Sequence, residues 1–255
     1  MGRTVAIVNQ KGGVGKTTVT LGLASAAQAA GHRVLVVDID PQGASTWVLG
    51  HDPGDVAQSS AEVITKGALG NAIIESGWGD GVDLVPASNR LQAKEHSTGK
   101  DATTRLRAAL HVALDGYDAV LIDCPPSLGN LTINGLTAAD HAVIVVEPAA
   151  LGLRGIGAVA DVVDEVWDSA NPELELAGVI VNKVPAVSAE AERRYDELGR
   201  IVGRRAIWQP VIPQRVIVNQ ALAERRPIHA YGSRAADVRE SFDRLWAKLR
   251  RVTRG

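Results

Sequence analysis

The stretch Asn9-Gln10-Lys11-Gly12-Gly13-Val14-Gly15-Lys16-Thr17-Thr18 decides how the rest of the chain is read. It lies between an apolar run, Val5 to Val8, and an Ala-rich segment of helical character. Gly12, Gly13 and Gly15 let the backbone curl with its N–H groups pointing inward at a helix N-terminus, which makes the loop a phosphate cradle. Lys16 is placed to reach the outer phosphates and Thr17 to offer a hydroxyl to Mg²⁺. The common pattern Gly-x-x-x-x-Gly-Lys-[Ser/Thr] puts glycine at position 10. This chain has Gln10 there, followed by a second lysine, Lys11. Two lysines in one short loop suit a concentrated negative charge met from two directions, as a nucleoside triphosphate supplies.

Two further motifs follow in order. Val34 to Val37 reads as a buried parallel strand and delivers Asp38 and Asp40, within Val37-Asp38-Ile39-Asp40-Pro41-Gln42-Gly43, to the strand's carboxyl end, where open parallel sheets place ligands. Leu121-Ile122-Asp123-Cys124-Pro125-Pro126-Ser127 repeats the arrangement, with Asp123 after the strand Val120 to Ile122. A carboxylate there, next to a phosphate loop, is placed to hold Mg²⁺ or its water shell. The competing reading, a cap for the next helix, is weakened by Pro125 and Pro126. Cys124 has no neighbour that would favour its thiolate and reads as a packed, inert residue.

Together the three motifs resemble those of the ParA/MinD family of deviant Walker A partition ATPases, and the Asp-x-Asp-Pro-Gln wording favours the ParA branch. The resemblance covers nearly the whole chain. It implies an ATPase that uses ATP and Mg²⁺, with nucleotide contacts from Lys11, Gly12, Gly13, Val14, Gly15, Lys16, Thr17 and Thr18. Lys11, Lys16 and Asp40 would be the catalytic set. Lys11 would cross a two-fold interface to the phosphates held by a second subunit, Asp40 would position the attacking water, and Thr17, Asp38 and Asp123 would form the metal site. Asn182 and Pro213 fall where relatives contact the adenine ring. The expected partners are a second copy in an ATP-dependent homodimer, nonspecific DNA, and a ParB-like centromere-binding protein that speeds a slow hydrolysis. No helix-turn-helix segment precedes the loop, as in the short forms of the family.

Elsewhere the chain alternates strand-like and helix-like segments. Helix is expected over 16–30, closed by Gly31, and strand over 82–85. Then come helix 101–114, strand 119–122, helix 128–138, strand 142–146, helix 152–168 and strand 176–181. Residues 50–81 are less legible, with short helices expected at 61–64 and 69–74. The final helix is expected over 234–252. This alternation predicts an α/β fold of the P-loop NTPase type, a doubly wound, mostly parallel sheet with helices on both faces, in one domain over 1–255.

The 255 residues are 45% hydrophobic, with one cysteine, which excludes an internal disulfide framework. No run of 18 apolar residues and no leader pattern is seen, so a cytoplasmic location is expected, and the family resemblance implies association with the nucleoid. Charge is unevenly distributed. Residues 193–255 hold 15 Lys and Arg against 6 Asp and Glu, a balance of +9, while the preceding residues carry the remaining 12 and 23, a balance of −11. Such a split points to a polyanion partner for the helical region from about 188 to 255. Arg193, Arg194, Arg204, Arg205, Arg215, Arg225, Arg226, Arg250 and Arg251 are the candidate DNA-binding residues. Relatives often carry arginine where this chain has Gln214 and Val187. In the last helix Phe242, Leu245, Trp246 and Leu249 share a face. Packing onto the sheet is the favoured role for that face and a MinD-like membrane contact the alternative, so no stable membrane association is expected. A ParA-like positioner of a protein cargo is the other alternative.

Overall fold

The computed structural model describes residues 2–95, 103–111, 114–148 and 154–253. Its seven strands are β1 (Arg3–Val8), β2 (Val34–Asp38), β3 (Ile74–Glu75), β4 (Val82–Val85), β5 (Ala119–Asp123), β6 (His141–Val146) and β7 (Glu175–Val181). They form one sheet in the order β3-β4-β2-β5-β1-β6-β7. Every pairing is parallel except that of β3 with β4. The central strands are buried on both faces, which is why they read as continuous apolar runs rather than alternating ones.

Crossover helices cover the two faces. On one face pack α3 (Ser60–Lys66), α4 (Arg105–His111), α5 (Asn130–Ala138), α6 (Arg154–Ser169) and α7 (Ala189–Val202). On the other pack α1 (Lys16–Ala29), α2 (Ala44–Val48), α8 (Val216–Ala223) and α9 (Ala236–Val252). This is the doubly wound arrangement expected from the alternation. Its consequence for function is geometric: the carboxyl ends of β1, β2, β5, β6 and β7 meet along one edge, with the loop of residues 9–15 at the centre.

Helix α1 closes at Gly31, whose φ of 73° is the left-handed geometry expected after a helix end. The helix expected over 69–74 does not form. Gly70 takes φ 53°, which breaks a right-handed helix, and the segment leads into β3 as an antiparallel edge strand. Helix α2 was not anticipated, because five residues are too few to carry a periodic signal. Residues 101, 102, 112, 113, 152 and 153 of the expected helices lie outside the described residues.

The apolar side of α9 is spent on the core. Phe242, Leu245, Trp246 and Leu249 are all buried, and Phe242 packs so closely on α1 that a methyl group added at Gly22 would lie 2.1 Å from its ring. The packing role favoured from the sequence is the one the fold adopts. Among the described residues no helix is long and apolar enough to cross a membrane.

Candidate active site

Strand β1 carries the chain into the loop, and α1 starts at Lys16 behind Gly15, which sits at φ 95° with no side chain capping the helix. The first N–H groups of α1 are therefore left for a ligand, and the helix dipole favours a negative one. Gly12 and Gly13 are exposed, and no atom lies within 4 Å of where a Gly13 side chain would begin. Val14 is buried and anchors the loop beneath. Thr18, partly buried, follows on the first turn.

Lys16 is buried, and its Nζ donates to the Asn9 carbonyl at 3.1 Å. Burial lowers its pKa, opposed by the Asp123 and Asp40 carboxylates. Thr17 Oγ1 donates to Asp123 Oδ2 at 2.8 Å, and Ser45 Oγ donates to the same oxygen at 2.7 Å. Asp123 Oδ1 is buried without a hydrogen-bond partner. Burial pushes the Asp123 carboxyl up, opposed by the Ser45 and Thr17 hydroxyls.

A buried carboxylate oxygen without a donor, beside a threonine hydroxyl at a phosphate loop, fits Mg²⁺. Among the described residues no group of three or more His, Cys, Asp or Glu forms a metal site by itself. Mg²⁺ is commonly held by one or two protein groups together with phosphate oxygens. Thr17 and Asp123 would hold it.

Asp38 stands beside Asp123 on the adjacent strand, with its oxygens met by protein donors. Its Oδ2 accepts from the backbone N and the Oγ1 of Thr46 at 2.8 and 2.7 Å, and its Oδ1 accepts from the Asp40 N–H at 3.1 Å. Burial raises its pKa well above the usual carboxylate range, and the neighbouring Asp123 adds to the shift. Asp40 is partly buried at the rim, where its Oδ1 accepts from the Gln42 N–H. Burial raises its pKa, opposed by that N–H and by Lys16.

Lys11 forms an ion pair with Glu147 at the end of β6, and its N–H donates to Asn9 Oδ1 at 2.9 Å. Asn182, at the end of β7, is buried, and its Nδ2 donates to the Val14 carbonyl at 2.9 Å. Its neighbour Lys183 takes φ 55°, unusual for a residue with a side chain, and its Nζ donates to the Gly13 carbonyl. The two side chains clamp the loop from β7. Pro213 lies alongside, bridged to Val184.

Sequence reasoning missed Ser45, Thr46, Glu147 and Lys183. The spacing Asp38-x₆-Ser45-Thr46 has no periodic signature, whereas Lys183 directly follows a residue the sequence did single out.

The candidate DNA-binding arginines do not gather on one surface. Arg193 and Arg194 are ion-paired with Glu190, Arg194 also with Glu197, Arg204 with Asp196, and Arg215 with Asp237. Glu190 lies just before position 193, so the positive balance counted from there omits an acid that neutralises it. Arg250 pairs with Asp118 ahead of β5, at the amino ends of the strands. Arg205 and Arg251 are exposed. Arg225 lies over the Trp47 ring, and Arg226 and Arg234 lie over Tyr231. Arg234 was not among the residues singled out. Val187 is 94% exposed.

The family model described as "AAA domain" matches residues 2–176. The sporulation initiation inhibitor protein Soj of Bacillus subtilis is 36% identical over 242 residues, 93% of this chain and 95% of that protein. The chromosome partitioning protein ParA of Caulobacter vibrioides is 34% identical over 239 residues, 92% of this chain and 89% of that protein. Among solved structures, cobyrinic acid a,c-diamide synthase from Mycobacterium smegmatis with bound ADP and magnesium superposes with a TM-score of 0.83 at 29% identity, covering 100% of this chain and 96% of that one. A phosphate loop on an uncapped helix, a threonine and an aspartate beside it, and relatives of this similarity along nearly the whole chain lead to one conclusion: the chain belongs to the ParA/Soj family of deviant Walker A ATPases.

Proposed function

We propose that the chain is a nucleotide-operated partition switch, which binds nonspecific DNA as an ATP-bound dimer and lets go after hydrolysis. The observation that carries this reading is the joining of Thr17 and Asp123 beside the buried Lys16, at the open end of α1. The similarity to the chromosome partitioning protein ParA of Caulobacter vibrioides supports the cargo.

Phosphoryl transfer asks the protein mainly for positioning and charge stabilisation. The loop N–H groups and Lys16 would hold the phosphates, and Asp40, at the rim, would orient the attacking water. Thr17 and Asp123 would hold Mg²⁺, which would supply positive charge to the phosphate oxygens. Lys11 would leave Glu147 for the phosphates of the second subunit, which makes the composite site and the dimer one event. Asn182 and Pro213 would face the base. DNA would be met by the Arg225, Arg226 and Arg234 cluster of both copies, without base readout. A ParB-like protein is the proposed accelerator of a slow hydrolysis, and the protein would reside in the cytoplasm on the nucleoid. The membrane alternative needs the apolar side of α9, which is packed against α1.

The test is DNA binding against salt, with molar mass followed in solution, for ADP, for ATP, and for ATP with Asp40→Ala. The expected result is an ATP-dependent dimer that binds mixed-sequence DNA, loses it as salt is added, and persists in the Asp40→Ala protein. An ATP dimer indifferent to DNA would sink the partition reading.

A further inference from the structure

Helix α2 is one short turn, and three consecutive residues in it face three different parts of the molecule. Ser45 donates to Asp123 Oδ2, the oxygen it shares with Thr17. Thr46 grips Asp38 through both its N–H and its hydroxyl. Trp47 turns outward, 44% exposed, and holds Arg225 in two ways. The Trp47 carbonyl accepts from Arg225 Nε at 2.6 Å, and the guanidinium lies 5.1 Å from the centre of the indole ring.

Arg225 is itself in an unusual position. It follows α8 at φ 56°, the left-handed geometry that normally selects glycine after a helix end. Its N–H donates to the Leu222 carbonyl at 3.1 Å, and its own carbonyl accepts from Trp78 Nε1 at 3.1 Å. The backbone is thus held from both sides while the side chain is laid on Trp47. A strained backbone whose side chain is stacked and hydrogen-bonded on a neighbour is a feature that tends to accompany switching parts of a protein.

We propose that Trp47 is a latch that withholds Arg225 until the metal-nucleotide site is loaded. Loading would give the unpartnered Asp123 Oδ1 a ligand and draw the Thr17 hydroxyl off Oδ2, which leaves Ser45 the remaining side-chain donor there. Ser45 and Trp47 are two residues apart on a helix too short to absorb a shift between them. A change in the hold on Asp123 is therefore passed to the Trp47–Arg225 contact. Arg225 freed from Trp47 joins exposed Arg226 in the basic cluster, and a polyanion then meets a surface that was incomplete before. The coupling runs both ways: a polyanion that captures Arg225 favours the loaded state of the site. The polyanion part rests on the partition reading above, whereas the link from Asp123 to Trp47 does not.

The experiment uses the full chain in two arms. In the first, the emission contributed by Trp47, taken as wild type minus Trp47→Phe, is followed as Mg²⁺ and a non-hydrolysable ATP analogue are added. Binding is verified independently by calorimetry. The expected result is a change in that emission on loading, and no such change in Arg225→Gly, a variant suited to the left-handed position and therefore expected to fold. An unchanged emission from saturated wild-type protein overturns the latch.

In the second arm, binding to a mixed-sequence duplex is measured without nucleotide. Trp47→Ala, checked for folding by thermal melting, should bind about fivefold more tightly than wild type or better, and the gain should vanish when Arg225→Gly is added. Equal binding by Trp47→Ala and wild type, with DNA bound by both, overturns the latch as a gate. If Trp47 reports loading and no state binds DNA, the latch stands and the partition reading falls.

Discussion

Asp38 and Asp123 stand in register on the adjacent parallel strands β2 and β5, both fully buried, and each is held by a neighbouring residue of α2. Thr46 serves Asp38 and Ser45 serves Asp123. Two carboxylates side by side in the interior are costly to keep charged, and burial raises the pKa of both. The hydroxyls of α2 offset part of that cost, so this one turn is a support for the site as well as a neighbour of it.

Replacing Thr46 with valine should therefore destabilise the fold far more than loss of a surface hydroxyl does. The change leaves Asp38 Oδ2 with one donor in place of two and removes the acceptor of the Ala87 N–H. A buried hydrogen bond to a charged group is worth about 1.5–3 kcal/mol, and a loss in that range is the expected outcome of urea unfolding. A loss under about 0.5 kcal/mol, the range of ordinary surface changes, would show that Thr46 does not support the carboxylate.

The Lys11–Glu147 pair predicts how dimerisation can be tuned. Glu147→Gln should shift ATP-dependent dimerisation to lower protein concentration, because Lys11 no longer has to leave a carboxylate. An ion pair of this partial exposure is worth about 0.2–1 kcal/mol and one is released in each subunit, so the midpoint should fall by at most about thirtyfold. Lys11→Ala should lose the ATP dimer and keep ADP binding. Analytical ultracentrifugation reads both, and a Glu147→Gln protein that dimerises less readily than wild type would count against this role.

Asn182 and Gly15 define a contact that nucleotide binding should sense. A methyl group at Gly15 would lie 2.1 Å from Asn182 Nδ2, in a backbone already at φ 95°, so Gly15→Ala should lose nucleotide binding. Asn182→Ala removes one hydrogen bond from the Val14 carbonyl, worth about 1 kcal/mol, and should weaken ADP by about fivefold. Calorimetric titration with ADP measures each, and unchanged affinity in both would mean that the clamp is idle.

Gly22→Ala should separate α9 from α1. The added methyl meets the Phe242 ring at 2.1 Å, within a helix pair that has no room to give, and overpacking of this kind costs about 1–3 kcal/mol. The fall should appear as a lower melting temperature and be recovered in part by Phe242→Leu. Equal stability of Gly22→Ala and wild type would show α9 to be loosely docked.

Acid should destabilise the protein through His229. Its Nδ1 faces Ser25 Oγ at 2.7 Å and its Nε2 faces Asp243 at 2.9 Å, and burial lowers its pKa, opposed by Asp243. The other charged group acting on it, Arg239, lowers it further. The folded pKa lies below the unfolded value of about 6.5, so on acidification the unfolded chain takes up its proton first. Stability from this group is intact at neutral pH, declines as pH falls below about 6.5, and levels off once the folded histidine is protonated. His229→Gln should flatten that part of the melting-temperature profile, and parallel profiles would exclude His229 as its source.

Much of this molecule is written locally. Gly12, Gly13 and Gly15 ahead of Lys16 define a phosphate loop because backbone freedom and a helix start are properties of adjacent residues. The apolar runs ending in Asp38 and Asp123 define strands that deliver carboxylates to one edge, since a buried parallel strand needs such a run and little else. Tertiary structure alone decided what meets those residues. Asn182 and Lys183 reach the loop across sequence separations of 168 and 170, a contact set by β7 lying two strands from β1. Ser45 became the partner of Asp123 because β2 and β5 are neighbours in space, whereas Thr46 reaches Asp38 by the turn that follows β2. The arginines counted as one basic region were divided by their acidic neighbours and by the two faces of the sheet. Charge composition sums over a chain, whereas a surface is made of whatever the fold leaves unpaired on one side.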